Sequence, residues 1–186
     1  MNVLLVYTLG LYQTVSKPLE YQGSLHFGLS YTSSVLKHHG HKTELLVLTR
    51  ETKKKFIEEY IKNFNPSLIC FTAVCNEYKF IAETAKYLKN KHPDIYLLVG
   101  GPHVTLDPET VIHGSFDALC IGEGEYPTLE LVQQLEAGQK PSGIKNLWIK
   151  QDGNVERNPT RDFIQNLDEL PFPDREMWQK WILYPK

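Results

Sequence analysis

Residues 68–101 read LICFTAVCNEYKFIAETAKYLKNKHPDIYLLVGG, and the fold class follows from this stretch. Leu68–Val74 is a short run that is apolar almost throughout, with no polar residue at every second position. Lys79–Lys91 then has helical spacing, and Ile95–Val99 is a second aliphatic run that stops at Gly100-Gly101-Pro102. A strand that does not alternate is one buried on both faces, and helices are what bury it. Two such strands joined by a helix form a parallel unit with a right-handed crossover.

The same alternation continues outward in both directions. Asn2–Tyr7 and Thr43–Leu48 are further aliphatic runs, and Leu25–His38 between them has helical periodicity ending at Gly40. Phe56, Ile57, Tyr60, Ile61 and Phe64 form an amphipathic stripe stopped by Asn65-Pro66. Beyond residue 101, Pro108–His113 reads as a short helix, Phe116–Ile121 as a fifth strand and Pro127–Glu136 as a last helix. These elements predict an α/β fold: a doubly wound, mostly parallel five-stranded sheet of Rossmann-like or flavodoxin-like type, in the order 2-1-3-4-5. Residues 1–142 make that domain. Residues 143–158 form an appended β-hairpin, with Ile144–Lys150 and Val155–Arg157 joined by Gln151-Asp152-Gly153-Asn154. Residues 159–186 read as a linker rich in proline and aromatics, in which Trp178, Trp181 and Tyr184 are expected to be exposed and to dock on a further domain beyond Lys186.

Composition narrows the function. With 41% apolar and 23% charged residues, the 186-residue chain is an ordinary globular protein, long enough to bury about 70% of its unfolded surface without a staple. A net charge of -2 supplies no basic face for nucleic acid. No apolar run approaches the length of a membrane span, and no secretory leader is recognisable. Cys70 and Cys120 sit in apolar runs as reduced core thiols, and with Cys75 they lack metal-type spacing, which points to the cytoplasm.

In such a sheet ligands bind beyond the carboxyl ends of the strands. Four segments occupy that rim: Thr8–Thr14, Thr72–Glu77, Gly100–Thr105 and Gly122–Tyr126. Their small residues let a backbone approach a large ligand, although glycines serve tight strand–helix turns equally well. No GxGxxG follows the first strand, no Walker A loop is present, and the receiver-type aspartates are missing, with Thr8-Leu9 and Thr72-Ala73 in their places. His38, His39 and His41 fall in a solvated turn on the opposite rim. His103 is the one histidine that the sequence places on the functional rim. No catalytic triad or dyad collects there, so no catalytic residue and no protein metal ligand is assigned.

Taken in order, these segments resemble the N-terminal cobalamin (vitamin B12)-binding domain of radical S-adenosylmethionine (radical SAM) enzymes. The resemblance rests on Gly28-Leu29-Ser30-Tyr31 through His41, Asn65-Pro66-Ser67-Leu68-Ile69, Pro93-Asp94-Ile95 into Val99–Thr105, and Ile121-Gly122-Glu123-Gly124-Glu125. It extends to Leu167-Asp168-Glu169-Leu170-Pro171-Phe172-Pro173. It implies a cobalamin-binding module with no activity by itself, serving methyl transfer or redox cyclisation or rearrangement of a small-molecule substrate. It also implies a partner barrel further along the same chain, carrying a [4Fe-4S] cluster on CxxxCxxC and S-adenosylmethionine; this sequence contains no such triplet. By the same resemblance Thr8, Leu9, Gly10, Thr72, Ala73 and Val74 line the groove for the nucleotide tail, and Gly100 and Gly101 let that tail pass. Gly122, Glu123, Gly124 and Glu125 bound its other side. Relatives that use an axial histidine carry DxHxxG after the first strand. That motif is absent here, so His103 is expected to contact the cofactor's periphery or tail without ligating cobalt. Two other readings stay open: a vestigial module that recognises substrate or partner without cobalamin, and a nucleotide-binding flavodoxin-like protein.

Overall fold

A computed structural model describes residues 1–10, 13–20 and 25–184. The parallel strands are β1 (Asn2–Leu9), β2 (Lys42–Thr49), β3 (Leu68–Thr72), β4 (Tyr96–Gly100) and β5 (Ala118–Cys120). The helices are α1 (Phe27–His38), α2 (Lys54–Phe64), α3 (Tyr78–Lys91), the short α4 (Pro102–Leu106) and α5 (Pro108–Val111), and α6 (Glu125–Glu136). The hairpin strands β6 (Leu147–Gln151) and β7 (Asn154–Arg157) do not stand apart. They extend one seven-stranded sheet of order β2-β1-β3-β4-β5-β6-β7, with β6 antiparallel to β5. Asp152 and Gly153 both take positive φ, 49° and 81°, as a two-residue turn matched to the strand twist requires.

The 2-1-3-4-5 order expected of the parallel strands is the order observed. Its cause is the unbroken aliphatic character of the central strands: every residue of β3 is buried, and Val3–Val6 of β1 are at most 1% exposed. The rim elements differ in detail from their sequence reading. β3 ends at Thr72 instead of Val74, because Ala73 turns away and pairs its N–H with Gly100 O at 2.8 Å and its carbonyl with His103 N at 3.0 Å. Within Gly100–Thr105, read as loop, Pro102 starts a one-turn helix.

Residues 174–183 overturn the expectation of an exposed linker. Trp178 is fully buried and Trp181 is 4% exposed, while Tyr184 is exposed as expected. The reason lies in the helix count. α1 and α6 pack side by side on one face of the sheet, and the tail covers what they leave bare over β2. Trp178 Nε1 donates to Ser30 Oγ at 2.8 Å and Trp181 Nε1 to Leu45 O at 3.1 Å, so each indole buries its apolar body with its one donor paired. Asp174 fastens the entry to this strap through Ser33 Oγ at 2.6 Å and Lys37 Nζ at 2.7 Å. A bridge between Leu19 and Ile182 closes it. This explains the serines of α1. A helix packed on both sides presents Ser30, Ser33 and Ser34 to the tail, where bulkier residues would hold it off. His41 is likewise no solvated residue; it is buried, with Nδ1 3.3 Å from the Met1 amine.

Removing Trp178 leaves a large void beside Tyr7 and takes the indole donor from Ser30 Oγ, which keeps only its bond to His26 O. Trp178→Ala is expected to cost about 3–5 kcal/mol of unfolding free energy, measured by urea denaturation. A loss below about 1 kcal/mol would mean the strap is not part of the core.

Candidate functional site

Parallel register builds the site. Cys70 of β3 lies beside Leu98 of β4, and Thr72 beside Gly100; Leu98 in turn pairs with Ala118 of β5, which brings Cys120 next to Gly100. Side chains at alternate positions share a face, so Thr72, Gly100 and Cys120 form one row at the carboxyl end of the sheet. The middle member has no side chain. A Cβ at Gly100 would come within 3.3 Å of Cys120 Cβ. Gly124, at the entry to α6, leaves a second gap: a Cβ there would meet only Cys120 Sγ at 3.7 Å and the hydroxyls of Thr128 and Thr32 at 3.9 Å. The result is a cavity of about 310 Å³ between the β3–β5 row and the helices α1 and α6.

Its floor is apolar. Burial pushes the Cys70 thiol well up and that of Cys120 to about 12, so both stay neutral. His26 forms one wall. Its backbone is extended and its Nδ1 accepts the Leu29 N–H at 3.1 Å, which makes it the N-cap of α1. With Nδ1 accepting, the proton sits on Nε2, which faces Thr72 Oγ1 at 3.4 Å. Burial lowers the His26 pKa and keeps the ring neutral. The carboxyl of Glu125 is the polar group of the other wall. It is 9% exposed, its Oε2 has no hydrogen-bond partner, and burial, opposed by backbone amides and aided by Glu123, raises its pKa.

The loop between β5 and α6 is held in place by the hairpin and the tail. Asn146, 2% exposed, donates from Nδ2 to Glu123 O at 3.0 Å and accepts Arg161 N–H on Oδ1 at 2.6 Å. Glu123 Oε2 accepts the Ile164 N–H at 2.8 Å, which places the neighbouring Phe163 at the cavity mouth.

Of the residues singled out from sequence, Thr72, Gly100, Gly101, Gly122, Glu123, Gly124 and Glu125 border this cavity; Thr8, Leu9, Gly10, Ala73, Val74 and His103 do not. Leu11 and Tyr12 of the first-strand segment lie outside the described residues. Gly10 borders Glu77, whose Oε1 would be 2.5 Å from an added Cβ. His103 packs against Tyr78 with the rings tilted by 45° and their centroids 4.4 Å apart, and sets Nδ1 3.3 Å from Cys75 Sγ. Gly101 is a backbone requirement first: its φ is +96°, and a Cβ would sit 2.8 Å from Ala73 N. Sequence reasoning missed His26, Thr32, Cys70, Cys120, Thr128 and Phe163. His103 is therefore not the only histidine on this rim; His26 was hidden by starting the helix at Leu25. Among the described residues no group of three or more His, Cys, Asp or Glu side chains could hold a metal ion, and no helix is long and apolar enough to cross a membrane.

The sequence model of the B12-binding domain matches residues 23–132, more than half of the chain, including β3, β4, β5, α1 and α6 as far as Val132. The chain belongs to the B12-binding domain family. It is 33% identical over 152 residues to an uncharacterized methyltransferase of Pyrococcus horikoshii, covering 81% of this chain and 33% of that protein. It is 27% identical over 169 residues to the anaerobic magnesium-protoporphyrin IX monomethyl ester cyclase of Rubrivivax gelatinosus, covering 84% and 30%. The chain thus spans about a third of the length of these relatives. Two solved structures share the fold. One is the radical S-adenosylmethionine methyltransferase TsrM of Kitasatospora setae (22% identity, 85% of this chain and 30% of that one, TM-score 0.70). The other is the cobalamin-dependent S-adenosylmethionine radical enzyme OxsB with aqua-cobalamin bound (21% identity, 97% and 25%, TM-score 0.74). The resemblance read from the rim segments holds.

The arrangement separates the thiols sharply. Cys70 and Cys120 are buried on the cavity floor and Cys75 is exposed. A disulfide reagent at neutral pH is expected to modify Cys75 rapidly and the other two only after denaturation. Rapid modification of all three in the folded protein would mean that the floor is open to solvent.

Proposed function

We propose that this chain is the cobalamin-binding module of a cytoplasmic radical SAM enzyme, and that the cavity beside Gly100 and Gly124 receives the nucleotide tail of the cofactor. The observation that carries the reading is the gap in the Thr72–Gly100–Cys120 row, next to a buried carboxyl oxygen with no partner. A well-packed α/β core does not leave such a gap between sheet and helix, because lost contacts cost stability. At about 310 Å³ the cavity lies at the small end of ligand pockets. It suits a flat aromatic base, not a whole corrin. The neutral thiols and the uncharged His26 ring suit an uncharged ring system.

The corrin is then left to the rim. Phe27, Val74 and Leu106 follow β1, β3 and β4 and expose apolar surface at that end of the sheet, as a face meeting a large cofactor or a second domain would. When bound, cobalamin supplies a cobalt centre able to carry a methyl group or an electron. The protein's own part is to bind and orient. Thr72, Gly100 and Gly124 would hold the tail, Asn146 and Glu123 fix the loop over it, and His26 shapes the wall. Because His26 Nδ1 caps α1 and Nε2 carries the proton, this histidine is not free to ligate a metal. The small-molecule substrate, the [4Fe-4S] cluster and S-adenosylmethionine belong in this reading to a partner barrel. The vestigial alternative drew on exposed tryptophans offering a docking surface, and Trp178 and Trp181 are instead part of this chain's own core.

Titration of the chain with hydroxocobalamin is expected to shift the corrin spectrum and give co-elution on gel filtration. Gly124→Leu should fill the cavity from a helix-capping position whose negative φ, −103° with ψ −11°, does not require glycine. It should weaken binding at least tenfold while leaving the melting temperature within a few degrees. Gly101→Val should instead lower the melting temperature, because it forces a branched side chain into positive φ. Unchanged affinity in folded Gly124→Leu would place the tail elsewhere.

A further inference from the structure

Glu125 sits in the first turn of α6, nine-tenths buried, and its Oε2 is shielded from solvent with no hydrogen-bond partner. The amides of Gly124 and Glu125 oppose the cost of burying the carboxyl, but Oε2 has given up its hydration without a partner of its own, and a fold keeps such an atom when something else supplies one. The neighbouring groups do not. Glu123 is engaged with the Ile164 amide at 2.8 Å, the terminal nitrogens of Arg161 with Glu130 at 3.0 and 3.1 Å, and the Thr32 hydroxyl with the Gly28 carbonyl at 2.8 Å. The His26 Nε2 proton faces Thr72. The cavity therefore offers an apolar floor of Cys70, Leu98 and Cys120, and Glu125, one of its lining residues, keeps a carboxyl oxygen with no partner just behind that surface.

A ligand complementary to that pattern is a flat aromatic ring with one in-plane heteroatom that can share a proton with a carboxyl. The geometry points to Glu125 as the residue that selects the base of the nucleotide tail, favouring a nitrogen heterocycle with a free ring nitrogen over a plain phenolic ring. This inference rests on the reading that the tail enters this cavity. The hydrogen bond between Oε2 and the ring nitrogen survives whichever of the two holds the proton: a neutral carboxyl donates to the bare nitrogen, and a carboxylate accepts from the protonated one. Burial raises the pKa of Glu125 and so favours the first form. A phenolic ring without a nitrogen fills the same space and leaves Oε2 unpaired.

Equilibrium binding of three corrinoids to the whole chain tests this. Cobalamin carries a benzimidazole tail, a phenolyl cobamide carries a ring without nitrogen, and cobinamide has no nucleotide tail. Wild type is expected to bind cobalamin about tenfold more tightly than the phenolyl cobamide, the contribution of one buried hydrogen bond. Glu125→Gln should keep most of that preference, because its amide N–H donates to the ring nitrogen. Glu125→Leu should abolish it while binding the phenolyl cobamide at least as well as wild type. Equal affinity of wild type for the two tailed corrinoids, or a preference that persists in Glu125→Leu, would overturn the role of Glu125 while leaving the tail in the cavity. Cobinamide binding as tightly as cobalamin, or no corrinoid binding at all, would overturn the cavity reading and this inference with it. The wild-type comparison needs no variant, so a folding defect in Glu125→Leu does not remove the test.

Discussion

The pairing of β3, β4 and β5 in parallel register is the constraint on which the remainder depends. It aligns Thr72 with Gly100 and carries Cys120 to the same row, and the glycine then leaves the centre of that row empty. Shifting any one of these strands by a residue would turn its row to the other face and fill the gap with the side chain of Phe71, Val99 or Leu119. The cavity is thus a property of register and of a single missing Cβ, not of a mobile loop. The helices that roof it are fixed for independent reasons. His26 caps α1, and the β5–α6 loop is latched by Asn146, which lies on the approach to β6.

The tail and the hairpin are structural parts of the same site. Arg161 grips Glu130 of α6 through both of its terminal nitrogens, at 3.0 and 3.1 Å. The chain then runs past Glu123 and on to the strap that buries Trp178 and Trp181 over α1 and β2. One continuous segment therefore braces both helices that enclose the cavity. A tail that merely linked domains would make few such contacts. This one makes its own buried hydrogen bonds and removes two indoles from water, so the position of α1 relative to α6 is set from outside as well as by the sheet.

Strand order was legible because buried parallel strands declare themselves: NVLLVY, TELLVL and IYLLV have no other reading once helices separate them. The rim was legible for the same reason, since the carboxyl ends of known strands are known places. What could not be read was anything that depends on two segments at once. Trp178 looked exposed because the bare face over β2 exists only after α1 and α6 have both packed. Cys70 and Cys120 looked like plain core residues, and only cross-strand register makes them the floor of a cavity. His26 was absorbed into helix periodicity, although its imidazole ends that helix by taking the place of a carbonyl acceptor for Leu29 N–H. The rim residues Val74 and His103 were chosen for lying at strand ends. The cavity lies instead on the α1 and α6 side, one strand away from the β1–β3 switch point.

Whether the cavity is where the cofactor goes can be read residue by residue. Amide chemical shifts of the isotope-labelled chain, followed during addition of cobalamin, report each backbone position separately. If the tail enters between sheet and helices, the largest changes should fall on Thr32, Gly100, Gly124, Glu125 and Thr128, which surround the gap. Changes confined to Leu9, Gly10, Val74 and His103, with the five cavity amides unmoved at saturation, would contradict it.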